Sequence, residues 1–367
     1  MKKSLFVLSL FAATAFVNAN DVKTAVEKGV AFLRETQQEA GNWGSPRAGV
    51  GPTTIILAGL LRSGVKPDDP MTAKGLEFIK KNLREDGGIY TPEGFFQNYE
   101  TCCAVMCLSL ANEAAKKQSG KTTGPYEEQL NKAAKYLLGQ QYTEGREVKK
   151  DDPKYGGIGY GGQSRPDLSN TQFFLDALKA AGKDKDDPAI QKALIFVSRC
   201  QNLENEHNTT PLAGSINDGG FAYIPTYEEP QGRDAEGGLR SYAAMTYAGL
   251  KSMVYAGLTK DDKRVKAAHE WISKNYDVEK HPGREYSGLY YYYQTMAKAL
   301  NVIGIDEIET PDGKKHNWRQ DLVKQLLSVQ QKDGSWVNDK NRQFMENDPH
   351  LVTGFVLLVL ADSDNKK

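Results

Sequence analysis

KGVAFLRETQ, running from Lys28 to Gln37 and followed by Gly41 and Trp43, is a phrase the chain repeats. It returns as KALIFVSRCQ from Lys192 to Gln201, with Gly219, Gly220 and Phe221 behind it, and in shortened form as LLSVQQKDGSW from Leu326 to Trp336. Aligned on a central residue, six copies stand at Phe32, Phe78, Tyr136, Phe196, Trp271 and Leu326. Five positions later come Gln37, Leu83, Gln141, Gln201, Tyr276 and Gln331, so the second and fifth copies have lost the glutamine. Glycine-aromatic turns follow at unequal distances, as Gly87-Gly88-Ile89-Tyr90, Gly156 to Tyr160 and Gly334-Ser335-Trp336. Self-similarity at a period of tens of residues is the signature of a repeat architecture.

Each copy reads as a helix, a glycine turn and a second helix. The segment before the turn is amphipathic: from Asp21 to Gln38 an apolar stripe of Val22, Ala25, Val26, Gly29, Val30 and Leu33 opposes charged residues, as a helix with one wet face requires. The segments after the turns, Thr53 to Leu61, Thr101 to Ala111, Thr171 to Ala181, Tyr242 to Tyr255, Leu289 to Leu300 and Leu351 to Leu360, are apolar nearly all round and must be buried. Six half-wet helices alternating with six buried ones predict an all-α fold, an (α/α)6 toroid with the buried helices as its inner ring; a curved open solenoid is the competing arrangement. Asp68-Asp69-Pro70, Asp186-Asp187-Pro188 and Asp261-Asp262 precede the amphipathic segments and read as helix caps, aspartate accepting from free N–H groups and proline suiting the first turn.

The chain opens with Lys2, Lys3, an apolar run from Leu5 to Val17 and a small-residue cleavage signal at Val17-Asn18-Ala19. This predicts a secretory signal peptide over residues 1–19, too short for a membrane span, and one toroid over 20–367 in a secreted or periplasmic protein with no transmembrane segment in the mature chain. The 47 basic and 47 acidic residues balance without a basic block, which argues against nucleic acid as a partner. The four cysteines, Cys102, Cys103, Cys107 and Cys200, lack zinc-ligand spacing and read as small buried hydrophobes, so neither a metal nor another cofactor is expected.

The repeated phrase resembles the QW motif of squalene-hopene and oxidosqualene cyclases, whose toroid is shared by protein prenyltransferase β-subunits and by the thioester domains of complement-like proteins. That resemblance implies the ring fold along the whole mature chain. The activities of those families depend on residues that this sequence lacks or places elsewhere. A cyclase-like D-x-D-D occurs at Asp184 to Asp187, but before an amphipathic helix, where it reads as capping; D-x-C and C-G-E-Q are absent.

Function should therefore sit at the end of the ring where turns and inner-helix starts converge, since helix N-termini favour anionic or polar groups. A glycine-rich stretch from Tyr155 to Gly162 leads to Arg165, Asp167 and Asn170, and offers Tyr160, Arg165 and Asn170 for ligand contact with Asp167 as a catalytic candidate; the competing role for Asp167 is a helix cap. Arg233 to Tyr242 adds Arg240, a second catalytic candidate, and Tyr242. In the run Tyr290-Tyr291-Tyr292-Tyr293 at least one ring should face the lumen while the others pack, with Tyr290, Tyr291 and Tyr293 as contact candidates. Glu100, before the second inner helix, is with Tyr242 a further ligand-contact candidate, and His350, behind the expected cap Asp348, is the third catalytic candidate; His207, His269, His281 and His316 read as surface residues. The leading expectation is an apolar or isoprenoid-like small molecule held in the lumen, with a divergent terpenoid cyclase as its catalytic form. The alternatives are a carbohydrate-active lyase or hydrolase acting on a glycan, and a non-catalytic scaffold for a protein partner.

Overall fold

Amphipathic and all-apolar segments alternate in space as they do in sequence. The computed structural model describes residues 18–44, 48–92, 94–226 and 238–363; the core of the expected signal peptide and the stretch from Arg233 to Gly237 lie outside them. The outer ring comprises α1 (Ala19–Thr36), α3 (Pro70–Lys81), α5 (Glu127–Gln140), α7 (Pro188–Arg199), α10 (Lys263–Lys274) and α12 (Trp318–Ser328). The inner ring comprises α2 (Gly51–Arg62), α4 (Gln97–Ser119), α6 (Leu168–Ala180), α9 (Ala243–Tyr255), α11 (Leu289–Ile303) and α13 (Pro349–Ser363). One turn of helix, α8 (Ala213–Ile216), and a short antiparallel hairpin, β1 (Glu307–Glu309) with β2 (Lys315–Asn317), decorate the longer connections.

The inner helices pack in sequence, α2 on α4, α4 on α6, α6 on α9, α9 on α11 and α11 on α13, and α13 returns to pack on α2. Outside them α1 meets both α12 and α13. The ring is closed, and the open solenoid is excluded. One contiguous apolar core runs through both rings, so each repeat gains its burial from its neighbours.

The repeated phrase holds this ring together through its glutamine, glycine and aromatic positions. Gln37 Nε2 donates to the carbonyls of Gly41 in its own turn and Met71 in the next outer helix, both at 2.9 Å. Gln141 does the same to Gly156 and Ala189, and Gln201 to Gly219 and Arg264. In the sixth copy the residue doing this is Gln330, bonded to Gly334 and, across the closure, to Ala25. Gln331, the residue expected there, is exposed. The sixth copy is therefore one position out of the expected register: Leu326 matches Leu33, since Trp336 Nε1 donates to the Leu326 carbonyl as Trp43 Nε1 does to Leu33.

The turn glycines Gly41, Gly87, Gly156, Gly219 and Gly334 have φ between +81° and +97°. A Cβ on any of them would stand 1.9–2.9 Å from the carbonyl oxygen of Lys74, Lys132, Lys192, Ala267 or Lys28 on the following outer helix. Both the backbone conformation and the close approach demand glycine. From the inner ring Thr53, Thr101, Thr171, Thr246 and Thr353 accept from the N–H of the turn residues Trp43, Ile89, Ile158, Phe221 and Trp336 at 3.1–3.2 Å.

Outer helices start at the expected caps, with Asp69, Asp187 and Asp262 accepting from the N–H groups of Met71, Ala189 and Arg264. The D-x-D-D run thus ends in the cap of α7. All four cysteines are buried and free. Among the described residues no helix is long and apolar enough to cross a membrane.

Candidate functional site

The first turns of the inner helices surround one end of the lumen, and the connections between repeats fold over it. They enclose a mouth chamber of about 250 Å³. Its wall is mostly aromatic and aliphatic: Tyr99, Tyr160, Tyr242 and Tyr291 stand round it, with Met245 and Leu351 between them. Phe173 and Phe355 form its floor, and the ring of Phe173 meets Tyr99 edge-on at 5.2 Å and Tyr291 at 6.1 Å. Phe96, Phe344 and Met345 line the rim and are exposed to solvent. Phe344 and Met345 are consecutive non-glycine residues in the left-handed region, with φ of 57° and 62°, a strained conformation held by its surroundings.

Few polar groups face this chamber. Glu100 lies in the first turn of α4, which begins three residues before it. Its carboxylate accepts from the N–H groups of Val50 at 3.1 Å and Thr91 at 2.7 Å, and from the Thr91 hydroxyl at 3.4 Å. Burial pushes its pKa above the ordinary carboxylate range against those hydrogen bonds. The Arg284 guanidinium sits 4.3 Å from the centroid of the Tyr242 ring and has no carboxylate partner among the described residues. His281, expected at the surface, is buried in the chamber wall. Its Nδ1 lies 2.7 Å from the Ser287 carbonyl and its Nε2 accepts from the Ala244 N–H at 3.1 Å, which fixes the tautomer with the proton on Nδ1. Burial depresses its pKa to about 4, so the ring is neutral near pH 7.

The expected site residues divide. Tyr160, Tyr242, Tyr291 and Glu100 come together in the chamber wall. Of the tyrosine run only Tyr291 lines it, with its hydroxyl 2.8 Å from Ser169 Oγ. Tyr290, Tyr292 and Tyr293 turn away and donate to the carbonyls of Val337, Asp277 and Val278. Asp167 is the N-cap of α6, accepting from the N–H and the side-chain amide of Asn170 at 2.8 and 2.7 Å. Both residues are buried behind Tyr160 and outside the chamber lining, and burial raises the Asp167 pKa to about 7. Arg165 is half-buried and Arg240 exposed, and neither lines the chamber. His350 stacks on Phe32 of α1 at 5.3 Å and bonds Asp348, the expected cap; it points between repeats rather than into the lumen.

Glu346 is an acid the sequence analysis missed. It sits fully buried beneath the Phe344–Met345 rim, where Oε1 accepts from the N–H groups of Tyr290 and Tyr291, both at 2.9 Å, and Oε2 from the Asn338 amide at 2.7 Å. It caps the start of α11 and fastens the rim loop to it, and burial raises its pKa to about 7.

Below Phe173 and Phe355, which line both spaces, a second chamber of about 300 Å³ reaches the opposite end of the ring. Here a buried polar network crosses the inner helices. Lys251 Nζ bonds Asp176 Oδ2 at 2.7 Å and Gln172 Oε1 at 2.6 Å. Asp176 Oδ1 takes the Lys298 ammonium at 3.0 Å and the Tyr255 hydroxyl at 3.1 Å. Burial would raise the Asp176 pKa, but the two lysines outweigh it and hold it below the ordinary value; burial lowers Lys251 to about 8. Among the described residues no group of three potential ligands gathers to hold a metal ion.

Comparison with known proteins bears on the frame more than on the chambers. No curated protein matches the sequence. Among solved structures the type II terpene cyclase MstE from Scytonema is 12% identical, with 93% of this chain and 98% of that one covered and a TM-score of 0.53. An alpha-amylase from Clostridium perfringens is 12% identical over 93% of this chain and 98% of its own, with a TM-score of 0.56. A polysaccharide lyase is 11% identical over 94% and 96%, with a TM-score of 0.54. At such identities these likenesses establish the fold alone. The profile of the prenyltransferase alpha-alpha toroid domain matches residues 3–163 and 163–283, the structure carries the same helix pairs on to a closed sixth repeat, and the chain belongs to that family.

Proposed function

We propose that this protein binds a compact apolar molecule of isoprenoid type in the mouth chamber, with the polar end of the ligand turned to Arg284. The observation that carries this reading is the chamber's lining: aromatic and aliphatic side chains on nearly every side, one guanidinium, and a buried acid already committed to backbone donors. Apolar pockets with a few fixed polar groups suit such ligands, and the exposed Phe96, Phe344 and Met345 offer an apolar entrance. Glycan processing fits less well. Among the described residues the mouth has no facing pair of free carboxylates, which hydrolysis of glycosides ordinarily uses. The signal-like residues 1–19 support an extracytoplasmic location for this binding protein, which N-terminal sequencing of the exported chain would check.

Titration of the purified protein with farnesol, read by displacement of an environment-sensitive fluorescent probe, tests the proposal. Met245→Trp should fill the chamber and abolish binding, while Arg284→Met should weaken an acid-headed analogue and leave farnesol itself unchanged. Absence of farnesol binding, equal binding by the filled variant, or saturable binding of maltooligosaccharides in its place would overturn the reading.

A further inference from the structure

The lower chamber holds more positive charge than its own carboxylates neutralise. Arg62 is paired with Asp362. Asp176 is shared between two ammonium groups, Lys251 and Lys298. Lys179 also lines the chamber. Three cations therefore line the chamber beside two carboxylates, and Lys251, which reaches Asp176 from outside the lining, brings the surrounding balance to four against two, in a space otherwise walled by Cys103, Met106, Leu110 and Leu358.

Helix dipoles account for only part of this excess. Lys179 and Arg62 lie in the last turns of α6 and α2, where a cation suits the C-terminal partial charge. Lys251 and Lys298 stand four and five residues before the ends of α9 and α11, beyond the last turn, where that field has faded. Lys251 is 1% exposed, and burying a cation is costly unless its charge is balanced. The lone carboxylate of Asp176 balances one of the two lysines. Lys298, whose side chain is 25% exposed, borders the chamber; Asp176 and a weak 3.7 Å contact to Met106 Sδ leave donor capacity on its ammonium.

We infer that the lower chamber is a second ligand site, distinct from the mouth, which takes a small oxyanion of phosphate or carboxylate type on Lys298 with Lys179 and Arg62 around it. The ligand's charge completes the Lys251–Asp176–Lys298 network, and the apolar wall accommodates whatever short body carries the anion. The oxyanion arrives either free, through the lower opening, or as the head of a tailed molecule whose chain passes the two phenylalanines.

Calorimetric titration with inorganic phosphate, dodecyl phosphate and dodecanoate separates these sources. At least one should bind the wild type and lose about tenfold or more in affinity in Lys298→Met, the loss of one charge-assisted contact, while Lys298→Arg retains it. Stronger binding of the dodecyl compounds than of phosphate assigns the site to a head group; equal or better binding of phosphate assigns it to a free anion. Farnesol binding at the mouth should be unchanged in both variants, so failure here is distinguishable from failure of the proposed function. A readout needing no variant is acetylation of Lys298 in the native protein, followed by peptide mass spectrometry, which the bound anion should slow. If none of the three ligands shows Lys298-dependent affinity and none protects Lys298, the chamber is not an anion site.

Discussion

Replacing Gln330 with leucine should open the seam where the sixth repeat meets the first. The amide of Gln330 supplies two hydrogen bonds of 2.9 Å, one to its own turn at Gly334 and one to Ala25 of α1. Each is worth about 1 kcal/mol net, and the abandoned carbonyls lie partly out of water. The expected loss is about 2–3 kcal/mol, slightly offset by burial of leucine carbons. With a denaturant slope of about 3 kcal/mol/M, the urea midpoint should fall by about 1 M. Gln331→Leu, one residue on, should stay within about 0.5 kcal/mol of wild type because that side chain is exposed and makes one local bond. Gln201→Leu, with the same pair of bonds at 1% exposure, should cost more than Gln330→Leu. Unfolding in urea followed by circular dichroism and tryptophan fluorescence measures all three. Equal losses at 330 and 331, or a loss at 330 below about 0.5 kcal/mol, would refute the assignment of Gln330 to the seam.

Two further outcomes are expected. His281 has its pKa depressed to about 4 in the folded chain, against about 6.5 unfolded, so its contribution is complete above pH 6.5 and is lost as pH falls towards 4. The difference in stability between wild type and His281→Asn should therefore shrink by up to about 3 kcal/mol across that window; a pH-independent difference in urea midpoints would contradict the buried neutral ring. Gly156→Ala places a Cβ 1.9 Å from the Lys192 carbonyl at φ +87° and should cost more than about 3 kcal/mol, whereas Gly162→Ala, at φ +53° with open space around it, should cost only about 1–2 kcal/mol. Similar midpoints for the two would show that the turn tolerates a side chain.

The ring was legible in the sequence because its determinants are local. All-round apolarity marks the inner helices, one-sided apolarity the outer ones, and Asp69, Asp187 and Asp262 announce starts through backbone bonds two residues away. The register of the sixth copy was not, since adjacent glutamines at 330 and 331 are told apart only by which one reaches the first repeat. The threonines at 53, 101, 171, 246 and 353 form a series that a repeat alignment extended into the inner helices would have found. Four of the residues expected near the mouth, Tyr160, Tyr242, Tyr291 and Glu100, do line the chamber. His281 and Arg284 were missed because they sit in a polar loop whose burial follows from its folding over the lumen. The lower network did leave a trace: Lys251 stands between Leu250 and Met253 in a segment otherwise able to exclude water, a placement that calls for a buried partner.

Phe173 and Phe355 divide the lumen into two spaces that are not independent of each other. Because these two rings belong to both chambers, a molecule above them and one below touch the same side chains from opposite sides. If both proposed sites are filled, each ligand should bear on the phenylalanine rotamers that the other meets. Each compartment can then change its lining, and so its chemistry, while the two shared phenylalanines and the ring around them stay the same.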